Sequence, residues 1–208
     1  MNSKDNPTPP KISPVSEFFW ALIGLMITIF GTFVEVFVYL PTSDRQLSGL
    51  QSTSLGITFQ LAGVFLTGLL GGKNAAAYAQ IAYVVLGLFK LPVFYHGGSL
   101  DYLYYPTFGY ILGFIPGAWL CGFLVLPGKR KLELFVISSF LGLLVIHACG
   151  IVYLVGYSFI TPIFGNNLSS SYLLDAIVLF SVTPFFAQIA LICSVSIIAF
   201  IIRLLLMY

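Results

Sequence analysis

Charge is what this chain has least of. Nine Lys or Arg and seven Asp or Glu make up 8% of its 208 residues, against roughly 25% in soluble domains. The resulting net charge of +2, without a basic stripe, excludes a nucleic-acid-binding reading. Cysteine is also sparse. Cys121, Cys149 and Cys193 each sit in a different apolar run, which argues against a disulfide framework or a zinc pattern and reads as small packing residues. CxxC, HExxH, GxSxG and Walker patterns are missing, so the chain is not expected to hydrolyse nucleotide itself. The two histidines, His96 and His147, have no ligand spacing and no nucleophile partner. Neither an enzyme nor a bound cofactor or metal is expected.

Apolar residues are abundant, at 59%, with a mean hydropathy of +1.00. The composition is that of an integral membrane protein. A hydrocarbon core of about 30 Å needs about 20 apolar residues as helix. Six runs meet or approach that length: Phe18–Leu40, Leu55–Leu70, Ala75–Leu91, Phe108–Leu126, Leu134–Tyr157 and Tyr172–Leu206. The expectation is an all-α bundle of six transmembrane helices over residues 17–208. A polar, proline-rich and disordered tail over residues 1–16 would precede it. The first run is too long for the h-region of a signal peptide. Pro184 should kink or break the last run.

Six spans with a cytoplasmic N-terminus put Lys4, Lys11, Lys73, Lys129, Arg130, Lys131 and Arg203 inside, and only Arg45 and Lys90 outside. That asymmetry fits the positive-inside rule, with both termini cytoplasmic in a plasma membrane. Loop mass then lies outside. The connection between spans three and four carries Tyr95, His96, Gly97, Gly98, Asp101, Tyr102, Tyr104 and Tyr105. Two apolar spans capped by such an aromatic, hydrogen-bonding loop suit the mouth of a small-ligand site. They suit a pore poorly, because a pore needs a polar lining along its length.

An ordered set of motifs runs through this region. It comprises Gly56-Ile57-Thr58-Phe59-Gln60, Gly68 to Gly72, Gln80, Tyr83, Gly87, Leu91-Pro92-Val93-Phe94, Gly97-Gly98, Pro106-Thr107-x-Gly109-Tyr110 and Gly113-Phe114, with Gly150 and Tyr153 further on. The set resembles the BioY family, most strongly over residues 55–123. The resemblance implies an S component of an energy-coupling factor (ECF) transporter, which captures biotin on the outer side. A separate T component and ATPase subunits would energise uptake, with membrane lipid around the spans. It also implies small residues of helix one, here Ala21 and Gly24, docking on the T component. Ordinary packing inside the bundle explains those two equally well.

The family carries an Asp followed closely by a Lys after the break in helix six. Here Gln188 stands near the Asp position, and an apolar residue stands at the Lys position. A glutamine can hydrogen-bond a ureido group, but it cannot neutralise a carboxylate. That departure keeps open an S component for a different small molecule, and a structural membrane protein without ligand also remains possible. The expected contacts are Tyr83, Phe94, Tyr110 and Phe59 as an apolar wall, and Thr58, Gln60 and Gln188 as polar groups, with Gly97 and Gly98 shaping the loop. Lys90 is expected either to snorkel at the membrane edge or to supply the missing cation. Gln80 reads as a contact or as helix-bridging glue, Asp175 as a helix N-terminal charge, and His147 as a packing or hydrogen-bonded histidine. Glu35, the one acid well inside the first run, could pair with Arg45.

Overall fold

A computed structural model of the chain describes residues 13–41, 50–125, 131–160 and 170–206. Most of the tail, the loop bearing Asp44 and Arg45, the pair Lys129-Arg130, and Asn166-Asn167 lie outside the described residues. The first helix, α1 (Pro14–Thr32), starts inside the segment expected to be tail. Ser13 caps it by accepting the Ser16 N–H at 3.2 Å, and a proline stands in its first turn, where a missing N–H costs nothing.

The all-α expectation and the bounds of the first two spans need correction. The run Phe18–Leu40 does not continue as helix. After Thr32 the chain becomes strand β1 (Glu35–Pro41), which pairs antiparallel with β2 (Leu50–Thr58). Hydropathy alone does not separate helix from strand. The segment Val36-Phe37-Val38-Tyr39 is β-branched and aromatic, as is Thr53 with Ile57 and Thr58 on the partner, and such side chains suit a pleated surface. Glu35 therefore lies at a strand start and not within a membrane helix, where its carboxylate accepts from Ser54 Oγ at 3.2 Å.

A lone hairpin is marginal in water, and this one is tied to the helices. The Phe59 N–H donates to Val34 O at 2.9 Å, and Ile57 is buried in the core. The register shifts between Glu35/Thr58 and Phe37/Ser54, where Gly56 has φ +67°. Such a bulge bends a strand and re-aims its side chains.

Helix α2 (Gln60–Leu66) runs into a π-helical stretch, Thr67–Gly71, and α3 (Gly72–Leu88) follows. Gly72 has φ +82° and ψ 179°, a conformation open only to glycine at low cost. The chain reverses there, so that Gln60 meets Tyr83 and Thr28 touches both Gly63 and Gln80. Helix α4 (Phe108–Val125) and α5 (Leu132–Ile160) form the most extensive helix pair. Gly113 and Gly117 allow it. A Cβ on Gly113 would lie 3.0 Å from Ile146 Cα, and one on Gly117 would lie 2.8 Å from Gly142 O. Small residues one turn apart let membrane helices bring their backbones together.

The last segment is α6 (Ser170–Ile177), a π-helical stretch Val178–Val182, then α7 (Phe185–Leu205). The interruption falls at Pro184, as the sequence suggested. Just before it the Thr183 N–H bonds Val178 O at 2.9 Å, closing the π-helical turn.

Among the described residues, four helical stretches are long and apolar enough to cross a membrane: Pro14–Thr32, Phe108–Val125, Leu132–Ile160 and Tyr172–Leu205. The chain is thus a largely helical, multi-pass membrane protein, and the six-helix count is not met by length alone. The α2 pass with its π turn extends only about 18 Å at 1.5 Å per residue. Exposed Leu22, Phe30, Leu144, Val152, Ile197 and Ile201 give the helices an apolar exterior, as lipid contact requires. One end of the bundle carries Lys73, Lys131 and Arg203. There Lys73 Nζ lies over Trp119 and Phe123 at 5.8 and 5.2 Å, and Arg203 lies over Phe135 at 5.6 Å. The hairpin and the aromatic loop occupy the other end.

The α1–α2 contact gives a test of this packing. A Cβ at Gly63 would sit 2.4 Å from Thr28 N, whereas one at Gly156 meets nothing within 4 Å. Gly63→Ala should lower the thermal midpoint of detergent-purified protein, by the equivalent of about 1–3 kcal/mol of overpacking. Gly156→Ala should not lower it. Equal midpoints for the two variants would contradict the close approach.

Candidate functional site

A cavity of about 340 Å³ opens beneath the aromatic loop. Its floor and sides come from five places. The β2 bulge brings Gly56, Ile57 and Thr58, and α2 brings Gln60 and Leu61. Helix α4 contributes Tyr110, Ile111 and Phe114, and α5 contributes Ile146 and His147. The broken last segment contributes Leu179, Phe180, Pro184 and Gln188. The mouth carries Tyr95, His96, Tyr102 and Thr107. Pro184 matters here twice. It has no N–H to give the helix, and the helix restarting after it places Gln188 in the first turn of α7, with its N–H bonded to Pro184 O at 2.9 Å.

The polar groups of the site are held in place. His147 Nε2 and Gln188 Oε1 are 2.8 Å apart. The Tyr110 hydroxyl and Ser181 Oγ are 2.6 Å apart. The Gln60 amide donates to the Tyr83 hydroxyl at 2.8 Å, and Tyr83 in turn donates to Val93 O at 3.0 Å. Thr32 Oγ1 lies 3.1 Å from the same hydroxyl. One tyrosine therefore joins α1, α2, α3 and the loop after α3. Two buried polar atoms at the cavity, His147 Nδ1 and Thr107 Oγ1, have no hydrogen-bond partner. At the mouth, burial pushes the Tyr102 hydroxyl above its ordinary pKa.

The expected site residues divide into two groups. Thr58, Gln60, Tyr110 and Gln188 line the cavity. Tyr83, Phe94, Gly97, Gly98, Phe59 and Lys90 do not, and most of them build the loop above it. Phe94 is buried between Tyr83 and Tyr102, with ring centroids 5.2 and 4.5 Å away. Gly87 lets that ring sit down, since a Cβ there would lie 2.0 Å from Phe94 Cζ. Gly98 presses against Leu91 O, and Gly97 has φ +89°. Lys90 also has positive φ, at 67°, and is exposed outside the cavity. Gln80 bridges helices, donating to Thr28 Oγ1 at 3.2 Å.

The docking pair separates as well. Gly24 is used inside the bundle, because a Cβ there would lie 1.9 Å from Thr67 Oγ1. Ala21 lines a shallow surface groove between α1 and α3 with Leu25, Tyr78 and Ala82.

Sequence reasoning did not place His147, Ile146, Phe114, Leu179 or Phe180 in the site. Only His147 left a signal, as an imidazole in the middle of an otherwise apolar run. His96, beside the two glycines, stacks on Tyr105 with centroids 5.6 Å apart.

The chain matches the family model described as the BioY family over residues 9–206. It is 29% identical over 185 residues to an uncharacterised 21.2 kDa protein of Cyanophora paradoxa from the psbX-ycf33 intergenic region, covering 88% of this chain and 93% of that one. It is 39% identical over 102 residues to a probable biotin transporter BioY of Lysinibacillus sphaericus, covering 47% of this chain and 50% of that protein. The aligned part thus spans about half the length of that named relative. Among solved structures, the S-component for biotin from an ECF-type ABC transporter superposes with a TM-score of 0.62 at 17% identity, covering 93% of this chain and 95% of that one. At that identity the likeness is one of fold.

The Tyr83 junction is open to direct test. Tyr83→Phe keeps the ring and leaves Gln60 and Val93 O without their partner. The expected result is a thermal midpoint lowered by the equivalent of about 1–3 kcal/mol in detergent. An unchanged midpoint would mean that the hydroxyl does not hold the three helices and the loop together.

Proposed function

This chain belongs to the BioY family, and from that premise we propose that it is the substrate-capture subunit of an ECF transporter, binding biotin for uptake across the cytoplasmic membrane. The observation that carries the reading is the cavity under the aromatic loop. Its volume of about 340 Å³ lies at the lower end of the range of about 300–1,000 Å³ typical of small-molecule sites. Its lining pairs an apolar wall (Ile57, Leu61, Tyr110, Phe114, Phe180) with a few polar groups (Thr58, Gln60, His147, Gln188). That suits a fused bicyclic ring with a ureido edge. A structural protein without ligand has no use for such a polar-lined cavity in lipid, where unpaired polar groups are costly.

The hairpin α2–α3 supplies two short passes, which with the four longer stretches gives six. Both ends of the chain then lie on one side. The end with Lys73, Lys131 and Arg203 faces the cytoplasm, as the positive-inside rule asks, and the cavity mouth faces outward. The chain carries no nucleotide-binding motif, so energy comes from separate T and ATPase subunits. Ala21, in its groove between α1 and α3, is the docking position for the T component. Gly24 supports that surface from inside.

A second reading has its own observation. Among the described residues, those lining the cavity include no Lys or Arg, so an S component for an uncharged small molecule fits the same walls.

Protein purified in detergent from biotin-containing medium should retain biotin near one equivalent, measured by mass spectrometry after denaturation. A biotin-free protein that retains a different small molecule would favour the second reading. Ala21→Leu should reduce co-purification with T and ATPase subunits while leaving retained biotin unchanged. Undiminished assembly would remove this groove from the docking surface.

A further inference from the structure

The aromatic loop is fastened to the bundle at two points, and each fastening is a tyrosine hydroxyl on a backbone carbonyl. Near the start of the loop, Tyr83 of α3 donates to Val93 O at 3.0 Å. Near its end, Tyr153 of α5 donates to Leu103 O. The first belongs to the junction that also joins α1 and α2. The second reaches the loop from the opposite wall. A tyrosine hydroxyl has one hydrogen, and this one goes to a carbonyl that its own segment leaves open. Leu103 lies in the last turn of the 3-10 segment Leu100–Tyr104, and the last carbonyls of a helix find no partner within it.

The Tyr153 ring is seated so that the hydroxyl is aimed. A Cβ on Gly109 of α4 would overlap Tyr153 Cβ, so the missing side chain lets α5 bring this residue against α4. Phe108 meets the ring edge-on with centroids 5.9 Å apart, and Tyr157 stacks on it at 6.4 Å. Tyr153 stands seven residues after Ile146, two turns along the same face of α5, which is about 10 Å at 1.5 Å per residue. Ile146 lines the cavity and Tyr153 does not. One helix therefore supplies part of the cavity wall and also the height at which the rim is held. The residue beside Leu103 is Tyr102, which lines the mouth. Its ring packs on Phe94, Tyr105 and Phe108, with centroids 4.5, 5.0 and 6.3 Å away.

We propose that Tyr153 is a positioning residue for ligand retention: without touching the ligand, its hydroxyl holds the Leu100–Tyr104 turn down and keeps the Tyr102 ring at the mouth. A ligand leaving through the mouth passes that ring. Loosening the rim raises the rate of escape and does not slow entry, and differences in affinity among variants of one site lie mostly in the rate of release. The retention role rests on the capture reading. The hold on the turn does not.

Hydrogen exchange of the full chain in detergent, followed by mass spectrometry, reads the hold with no ligand present. Tyr153→Phe keeps the ring and its packing. It should speed exchange of the Leu100–Tyr104 amides about two- to tenfold, the worth of one hydrogen bond, and leave α3, α5 and the thermal midpoint unchanged. Tyr104→Phe, which removes an exposed hydroxyl from the same turn, should leave exchange as it is. Unchanged exchange in Tyr153→Phe overturns the proposal, and so does equal acceleration along α4 and α5 with a lowered midpoint. Release of radiolabelled biotin into excess unlabelled biotin reads retention. Tyr153→Phe should release it about two- to tenfold faster with no slower association. Faster exchange with unchanged release overturns the retention role. No binding of biotin by the parent protein overturns the capture reading and retention with it, whereas the exchange difference between parent and Tyr153→Phe persists.

Discussion

The low-dielectric surroundings govern this molecule. In lipid no water is available to satisfy a stray N–H or C=O, so every polar side chain among the helices has to find a partner or mark a site. Tyr83 shows the first outcome. One hydroxyl takes the Gln60 amide, lies within hydrogen-bond reach of Thr32 and donates to the backbone at Val93. It thereby fixes three helices and the start of the aromatic loop at one point. The second outcome is the cavity, where His147 and Thr107 keep atoms without partners and two glutamines, Gln60 and Gln188, reach its wall.

The same constraint explains why helices are broken only where the protein can cover the break. The reversal at Gly72 and the interruption at Pro184 both leave backbone groups outside regular α-helix. At the first, the Gly72 N–H bonds Gly68 O. At the second, Thr183 and Gln188 take up the neighbouring carbonyls, and the irregular turn lines the cavity. Irregular backbone at membrane depth is tolerated where it is enclosed or lines a cavity, and transporters place binding groups at such breaks.

Much of the architecture was legible in the residues. Helices α4 and α5 were recognisable because their apolar runs are long and uninterrupted by charge. Pro184 announced the break in the last segment. The loop glycines and tyrosines marked where a mouth would form. The bounds of the first two spans needed correction because an apolar run of Val, Phe and Tyr satisfies hydropathy equally well as helix or strand. Partner choice, through the pairing of Glu35–Pro41 with Leu50–Thr58, settles that question, and it is not a property of either segment alone. Phe94, Gly97 and Gly98, expected at the site, do not line the cavity; the loop must fold tightly over Gly87, and that need leaves the same trace in a sequence as contact with a ligand.

From composition, run length and loop chemistry one can deduce the solvent this protein lives in, its largely helical class and the loop beneath which the cavity opens, since these are sums over neighbouring residues. The division of the polar residues into those that hold the bundle and those that face the cavity belongs to the tertiary structure. Gln80 and Gln60 are both glutamines on apolar helices. One is buried against Thr28 and the other borders open space. Their difference is made by partners 23 and 52 positions away in the chain, which no local pattern in the sequence contains.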